Sequence, residues 1–380
     1  MSKHDGLGMA IDRRRLLTLT AGGVTATALL GVKGATQAFA ADNTVRWVSP
    51  RGTIEVQDDY AYWVAKKYGY FGDIQTTLEP GPSDATACVK LVDQKQADMG
   101  YPSPGVFSLG LEQGIPIVSV FHMGGSDVFD FAFRKGEKPK DLKALEGKTI
   151  LLGSAGWQSI CDPMLAAAGL DIKTIKYVEA GWPAWGTALK AGKGDSALSW
   201  EGLRGQWKGQ GLDFDYFLGK DFSKLPANSF VIRKADFEDQ AKKQLYARYL
   251  QGWAAGLEFG KQNPRAATQI VMMQFPGLAS QMTPTVATES MMQLANVFAG
   301  RMDERKKWGY HLLPSWQLFF DTGHKIGQLS KDIKAEDVCK NDLIDEANAF
   351  DKAKVQADAQ GFALSPDYQA VDVKAIQAAL

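Results

Sequence analysis

Cysteine and histidine are both scarce in this chain. Cys88, Cys161 and Cys339 are the three cysteines of 380 residues, and no two form a C-x-x-C pair. That spacing leaves no thiolate set for an iron–sulfur cluster or a structural zinc. One disulfide is open to them; three separate buried thiols is the favoured reading. The four histidines (His4, His122, His311, His324) include no His-Glu-x-x-His and no close pair. Also missing are the phosphate-binding G-x-x-x-x-G-K-[ST], a G-x-G-x-x-G after a strand, and the nucleophile motif G-x-S-x-G. Neither a nucleophile nor a metal or cofactor site is legible. Excess charge is lacking too: 43 basic residues balance 43 acidic ones. Nucleic acid and an anionic membrane surface are therefore not expected partners. No apolar run is long and pure enough for a clear membrane span.

What the chain does carry at its start is an ordered set of export signals. Arg13-Arg14 is a twin-arginine pair with Leu16 and Leu17 at the spacing that the twin-arginine pathway reads. Residues 16–32 are apolar but diluted by Thr and Gly, and Ala38-x-Ala40 is a small-residue cleavage site. The expected mature chain starts at Ala41 and works in the periplasm, with no lipid-bearing cysteine at the cut. It keeps 38 basic and 41 acidic residues, a net charge of −3. Its length predicts two domains.

Alternation predicts strands over 44–49, 74–78, 97–101 and 115–121, with helices over 60–68, 84–92 and 106–113 between them. Ser83-Asp84 is the expected cap of the second helix, and Gly69 ends the first. This β-α-β-α-β order with short connections predicts an open parallel sheet. The pattern restarts with strands over 148–152, 175–178 and 195–200, and helices between them. Two similar segments flank that second unit, Phe131-Ala132-Phe133-Arg134-Lys135 and Phe230-Val231-Ile232-Arg233-Lys234. They predict a lobe inserted through a two-strand hinge. From Asp236 onward the reading is helical.

The ordered motifs resemble the periplasmic solute-binding proteins of ABC importers, in the nitrate, sulfonate, taurine and thiamine-precursor (NMT1/THI5-like, SsuA-like) group. The carriers are Ala65-Lys66-Lys67-Tyr68-Gly69-Tyr70-Phe71, the helix-to-strand stretch 84–100, and Leu142-Lys143-Ala144-Leu145-Glu146-Gly147-Lys148-Thr149-Ile150. Gln94 or Lys95 stands where that group usually has glycine. The cysteine-rich motif of the pyrimidine-forming enzymes on this fold is absent. The resemblance implies an α/β, two-lobed periplasmic-binding-protein fold of type II. Lobe 1 would comprise residues 41–130 and 229–310, and lobe 2 residues 131–228. Residues 311–380 would be a helical segment packed on lobe 1. It also implies a monomer without enzymatic activity or cofactor, which captures a small molecule and hands it to a membrane ABC permease. A ligand-presenting sensory protein and a pyrimidine-metabolising enzyme are the alternatives.

Open parallel sheets bind ligands beyond the carboxyl ends of their strands. That rule selects Arg51, Tyr101, Ser103, Gly125 and Ser126 in lobe 1. In lobe 2 it selects Ser154, Ala155, Gly156, Trp157, Trp182, Trp200 and Glu201. The helix start at Ser154–Trp157 favours an anion, and Arg51 is either its second anchor or a surface arginine. Five tryptophans lie between 157 and 207. They form either the core of the lobe or an aromatic wall that suits a ring-bearing ligand. The expected ligand is thus an organic acid, sulfonate or aromatic acid. Glu201 complicates that charge, unless it pairs with Arg204 or binds an amine. His122 is read as a core or rim residue rather than a ligand-protonation switch.

Overall fold

The structure, a computed structural model, describes residues 43–81 and 86–380. The export segment and the Ser83–Asp84 cap lie outside the described residues. Among the described residues no helix is long and apolar enough to cross a membrane.

The strands are β1 Thr44–Val48, β2 Gln75–Glu79, β3 Met99–Gly100, β4 Ile117–His122, β5 Phe129–Arg134, β6 Thr149–Leu152, β7 Lys176–Glu179, β8 Ser196–Trp200, β9 Phe214–Leu218 and β10 Ser229–Arg233. They form two five-stranded sheets, ordered β2-β1-β3-β10-β4 and β7-β6-β8-β5-β9. Each is mixed rather than purely parallel. β10 runs antiparallel to both β3 and β4, and β5 antiparallel to both β8 and β9. The two look-alike segments are therefore these two reversed strands, one in each sheet. β4 and β5 are fully buried through five or six residues, so they read as apolar runs with no face preference, as covered strands do.

Local chemistry explains the flanking helices. Helix Tyr60–Tyr68 buries five residues and stops at Gly69, whose φ of 69° suits the left-handed cap. In helix Pro104–Glu112 the Ser103 side chain accepts from the Val106 amide, and Pro104 sits where no amide is needed. The chain passes between the sheets twice, through 123–128 and 219–228. These crossovers are tied together: Ser223 Oγ donates to Asp127 at 2.5 Å, and the Ala227 amide donates to His122 Nε2 at 3.1 Å. His122 is thus a neutral acceptor in the core. All three cysteines are buried.

The C-terminal region closes the open edge of β4. Lys340 donates its amide to Ser119 O and His122 its own to Gly309 O, both at 2.8 Å, which removes an unpaired sheet edge. Between them His311 Nδ1 meets Asn341 Oδ1 at 3.0 Å and Nε2 meets Ser119 Oγ at 2.6 Å. Asn341 Oδ1 only accepts, so Nδ1 carries the proton and the ring is neutral. Burial lowers the His311 pKa to about 3. A folded pKa below the unfolded value of about 6.5 contributes stability that is complete above 6.5 and is lost as pH falls towards 3. The stability margin of wild type over His311→Gln should therefore shrink by up to about 1.4 kcal/mol per pH unit between pH 6 and 4. Urea titrations at three pH values measure it. A margin independent of pH would mean that the buried imidazole does not resist protonation.

Candidate functional site

The carboxyl ends of β1, β3, β6 and β8 converge on one cavity. It holds about 640 Å³ of atom-free space, part of it open to solvent. The first sheet contributes Pro50, Arg51 and Asp58 after β1, then Tyr101, Ser103 and Val106 after β3. The second contributes Val128, Phe129, Trp157, Ile160, Leu198 and Trp200. Asn228 enters from the second crossover, and Leu294 and Phe298 from helix Pro284–Phe298.

Arg51 is held in an unexpected way. Its Nη2 sits 2.6 Å from both carboxylate oxygens of Asp59, and Nη1 lies 3.5 Å from Asp58 Oδ1. Gly81 donates its amide to Arg51 O at 2.8 Å. A Cβ at Gly81 would stand 2.1 Å from Ser49 O, so only glycine permits this turn. Burial works against charge on Arg51, yet the two carboxylates outweigh it and hold its pKa above the ordinary value. Burial pushes Asp58 up to about 6 despite Arg51, and raises Asp59 as well. The guanidinium expected to wait for a ligand anion is already paired with carboxylates of the chain.

Trp200 spans the cavity. Its Nε1 donates to Asp58 Oδ1 at 2.9 Å, joining β8 of the second sheet to the β1 loop of the first. Trp182 stacks behind it at 5.9 Å and 11°, and Trp157 meets it edge-on at 5.7 Å. A Cβ at Gly153 would come within 2.7 Å of the Trp157 ring, so this glycine lets the indole lie flat against the strand end. Trp185 is core, its Nε1 donating to Leu198 O at 2.8 Å. The tryptophans thus divide: Trp157 and Trp200 face the cavity, while Trp182 and Trp185 brace them.

Of the twelve residues selected by sequence, Arg51, Tyr101, Ser103, Trp157 and Trp200 line the cavity. Gly125 and Ser126 do not; they line a separate depression beside the crossovers with Lys220 and Arg301. The strand-end rule misplaces them because the chain leaves β4 for the other sheet. Both amides donate to Val297 O there, and a Cβ on Gly125 would overlap Gly300 O. Ala155 and Gly156 face another surface depression with Gln158 and Asp162. A short 3₁₀ turn, Ala155–Trp157, precedes helix Gln158–Ala167, and Ser154 makes no side-chain cap. Of the Ser154–Trp157 segment, Trp157 alone lines the cavity. Glu201 is buried outside the cavity and bonded to Arg204, with Asp130 3.7 Å from the same guanidinium; desolvation raises the pKa of both acids. Sequence reading missed Asp58, Asp59, Phe129, Asn228, Leu294 and Phe298. The signal for the first two was an Asp-Asp pair at a helix start beside a predicted site loop. Among the described residues no acidic, histidine and cysteine side chains group as a metal site.

Two sheets of this order, meeting over one cavity at their strand ends, define the periplasmic-binding-protein fold. The chain belongs to the NMT1/THI5-like family, whose model matches residues 58–267. No curated protein sequence matches it. Among solved structures it resembles the nitrate-binding protein NrtA of Synechocystis PCC 6803. That match has 13% identity and a TM-score of 0.62, covering 85% of this chain and 99% of that one. It also resembles the alkanesulfonate-binding protein SsuA of Xanthomonas axonopodis pv. citri bound to MOPS. There the identity is 11% and the TM-score 0.61, covering 80% and 99%. The ligand-binding component of an ABC-type import system from Staphylococcus aureus matches at 12% identity and a TM-score of 0.57, covering 80% and 98%. At such identities these likenesses speak for the fold.

Proposed function

We propose that this protein is an extracytoplasmic solute-binding protein that captures one small, ring-bearing molecule and delivers it to an ABC permease. The carrying observation is the aromatic-lined cavity built from the strand ends of both sheets. Membership of the NMT1/THI5-like family supports the reading, as do the import system named for the Staphylococcus aureus relative and the periplasmic nitrate binding named for NrtA. The crossovers 123–128 and 219–228 act as the hinge, and the ligand completes the contact that Trp200 and Asp58 begin across the cleft. Hinged closure about two short segments is a common ligand-capture motion. The twin-arginine segment exports the folded chain, and the mature protein acts as a monomer. A thermal-shift panel of cationic, neutral and anionic ring compounds tests capture. One class should raise Tm and bind one-to-one by calorimetry. A panel in which nothing binds would count against solute capture in this cavity.

A further inference from the structure

The charge of the cavity wall is lopsided. Among the described residues Arg51 is the only cationic one that lines it, and both Nη2 contacts belong to Asp59 at 2.6 Å. Asp58 receives one indole N–H at 2.9 Å and a longer approach from Arg51 at 3.5 Å. With Asp58 ionised, the three side chains carry one net negative charge. An anion entering here would meet an already paired guanidinium and an under-compensated carboxylate. Asn228 adds a second acceptor. It is 9% exposed, its Nδ2 points to Tyr101 O at 3.4 Å, and its Oδ1 is buried with no hydrogen-bond partner. Around these acceptors stand the rings of Tyr101, Phe129, Trp157 and Trp200. Aromatic faces attract cations through the ring quadrupole, and more strongly when water is excluded.

We propose that the captured ligand is a protonated organic amine, its ammonium group recognised by Asp58 and Asn228 and its ring or chain by Trp157 and Trp200. This rests on the capture reading above and supplies its charge. The amine keeps its proton; no bond forms or breaks. The groups facing Asp58 are Arg51, Asp59, Tyr101 and the Trp200 indole. Burial raises the pKa of Asp58 to about 6 and raises that of Asp59 too. Amine binding should accordingly weaken as pH falls through about 6.

The test is calorimetric titration at pH 7.5 with benzylamine, benzyl alcohol, benzoate and benzenesulfonate, which share one ring and differ in charge. Benzylamine should bind at least about tenfold tighter than the other three, the scale of one desolvated charge pair. In Asp58→Asn it should lose about tenfold or more while benzyl alcohol is unchanged. Should that variant fail to fold, the wild-type benzylamine affinity measured from pH 7.5 to 5 carries the same test without a substitution. Tightest binding by benzoate or benzenesulfonate would overturn the amine assignment and leave solute capture standing. No binding by any of the four, or benzylamine affinity that does not change with pH, would also overturn it.

Discussion

Arg51→Met should lower the unfolding free energy by about 3–5 kcal/mol, the cost of leaving one member of a buried ion pair without its partner. Asp59 is wholly buried at the start of helix Tyr60–Tyr68, and Arg51 supplies the charge-assisted contacts to both of its oxygens. The substitution strands that carboxylate and frees the loop that also carries Asp58. Arg51→Met/Asp59→Leu should recover most of the loss, because an apolar pair of similar volume can replace a buried ion pair at little cost. Urea unfolding of the wild type and both variants decides the matter. A single variant within about 1 kcal/mol of wild type would show that the guanidinium is not committed to Asp59, and would return it to the ligand.

The second large effect is expected at Trp200. Trp200→Ala removes a buried ring that touches Trp157, Trp182 and Trp185, a change that typically costs about 3–5 kcal/mol. Trp200→Phe keeps most of that packing and deletes only the indole donor to Asp58. A hydrogen bond to a charged group is worth about 1.5–3 kcal/mol. This bond joins the two sheets, so its loss should act on closure as well as on stability. In small-angle scattering without ligand, Trp200→Phe should show a larger radius of gyration than wild type. Equal stability and equal radius would remove the indole–carboxylate contact from the closing interface.

Much of the fold was legible in the sequence, because its strands and helices carry their own periodicity. The Tyr60–Tyr68 helix, its Gly69 stop and the strand at β6 follow from local pattern. The antiparallel placement of β5 and β10 did not, since their pairing partners lie far away in the chain and leave no local mark. β9 was missed for a related reason. Phe214–Leu218 is a short run between glycines, and only its pairing with β5 gives it strand character. Tyr101, Ser103, Trp157 and Trp200, selected by the strand-end rule, line the cavity, because that rule reflects backbone topology. Charge was not, because it depends on which side chains fold back on each other. Asp58 and Asp59 stand directly before helix Tyr60–Tyr68, and there they pair Arg51 from within the chain. Gly125 and Ser126 obey the strand-end pattern but belong to a crossover, which local sequence does not distinguish from a cleft rim.

Native mass spectrometry of the mature protein bears most directly on the cavity itself. Wild type incubated with the sub-kilodalton fraction of a bacterial extract should carry a single small-molecule adduct at one-to-one stoichiometry. Trp157→Ala, which opens the aromatic wall without touching the Arg51–Asp59 pair, should lose most of that adduct under the same conditions. An adduct retained in full by Trp157→Ala, or no adduct on the folded wild type, would contradict capture of a solute in this cavity.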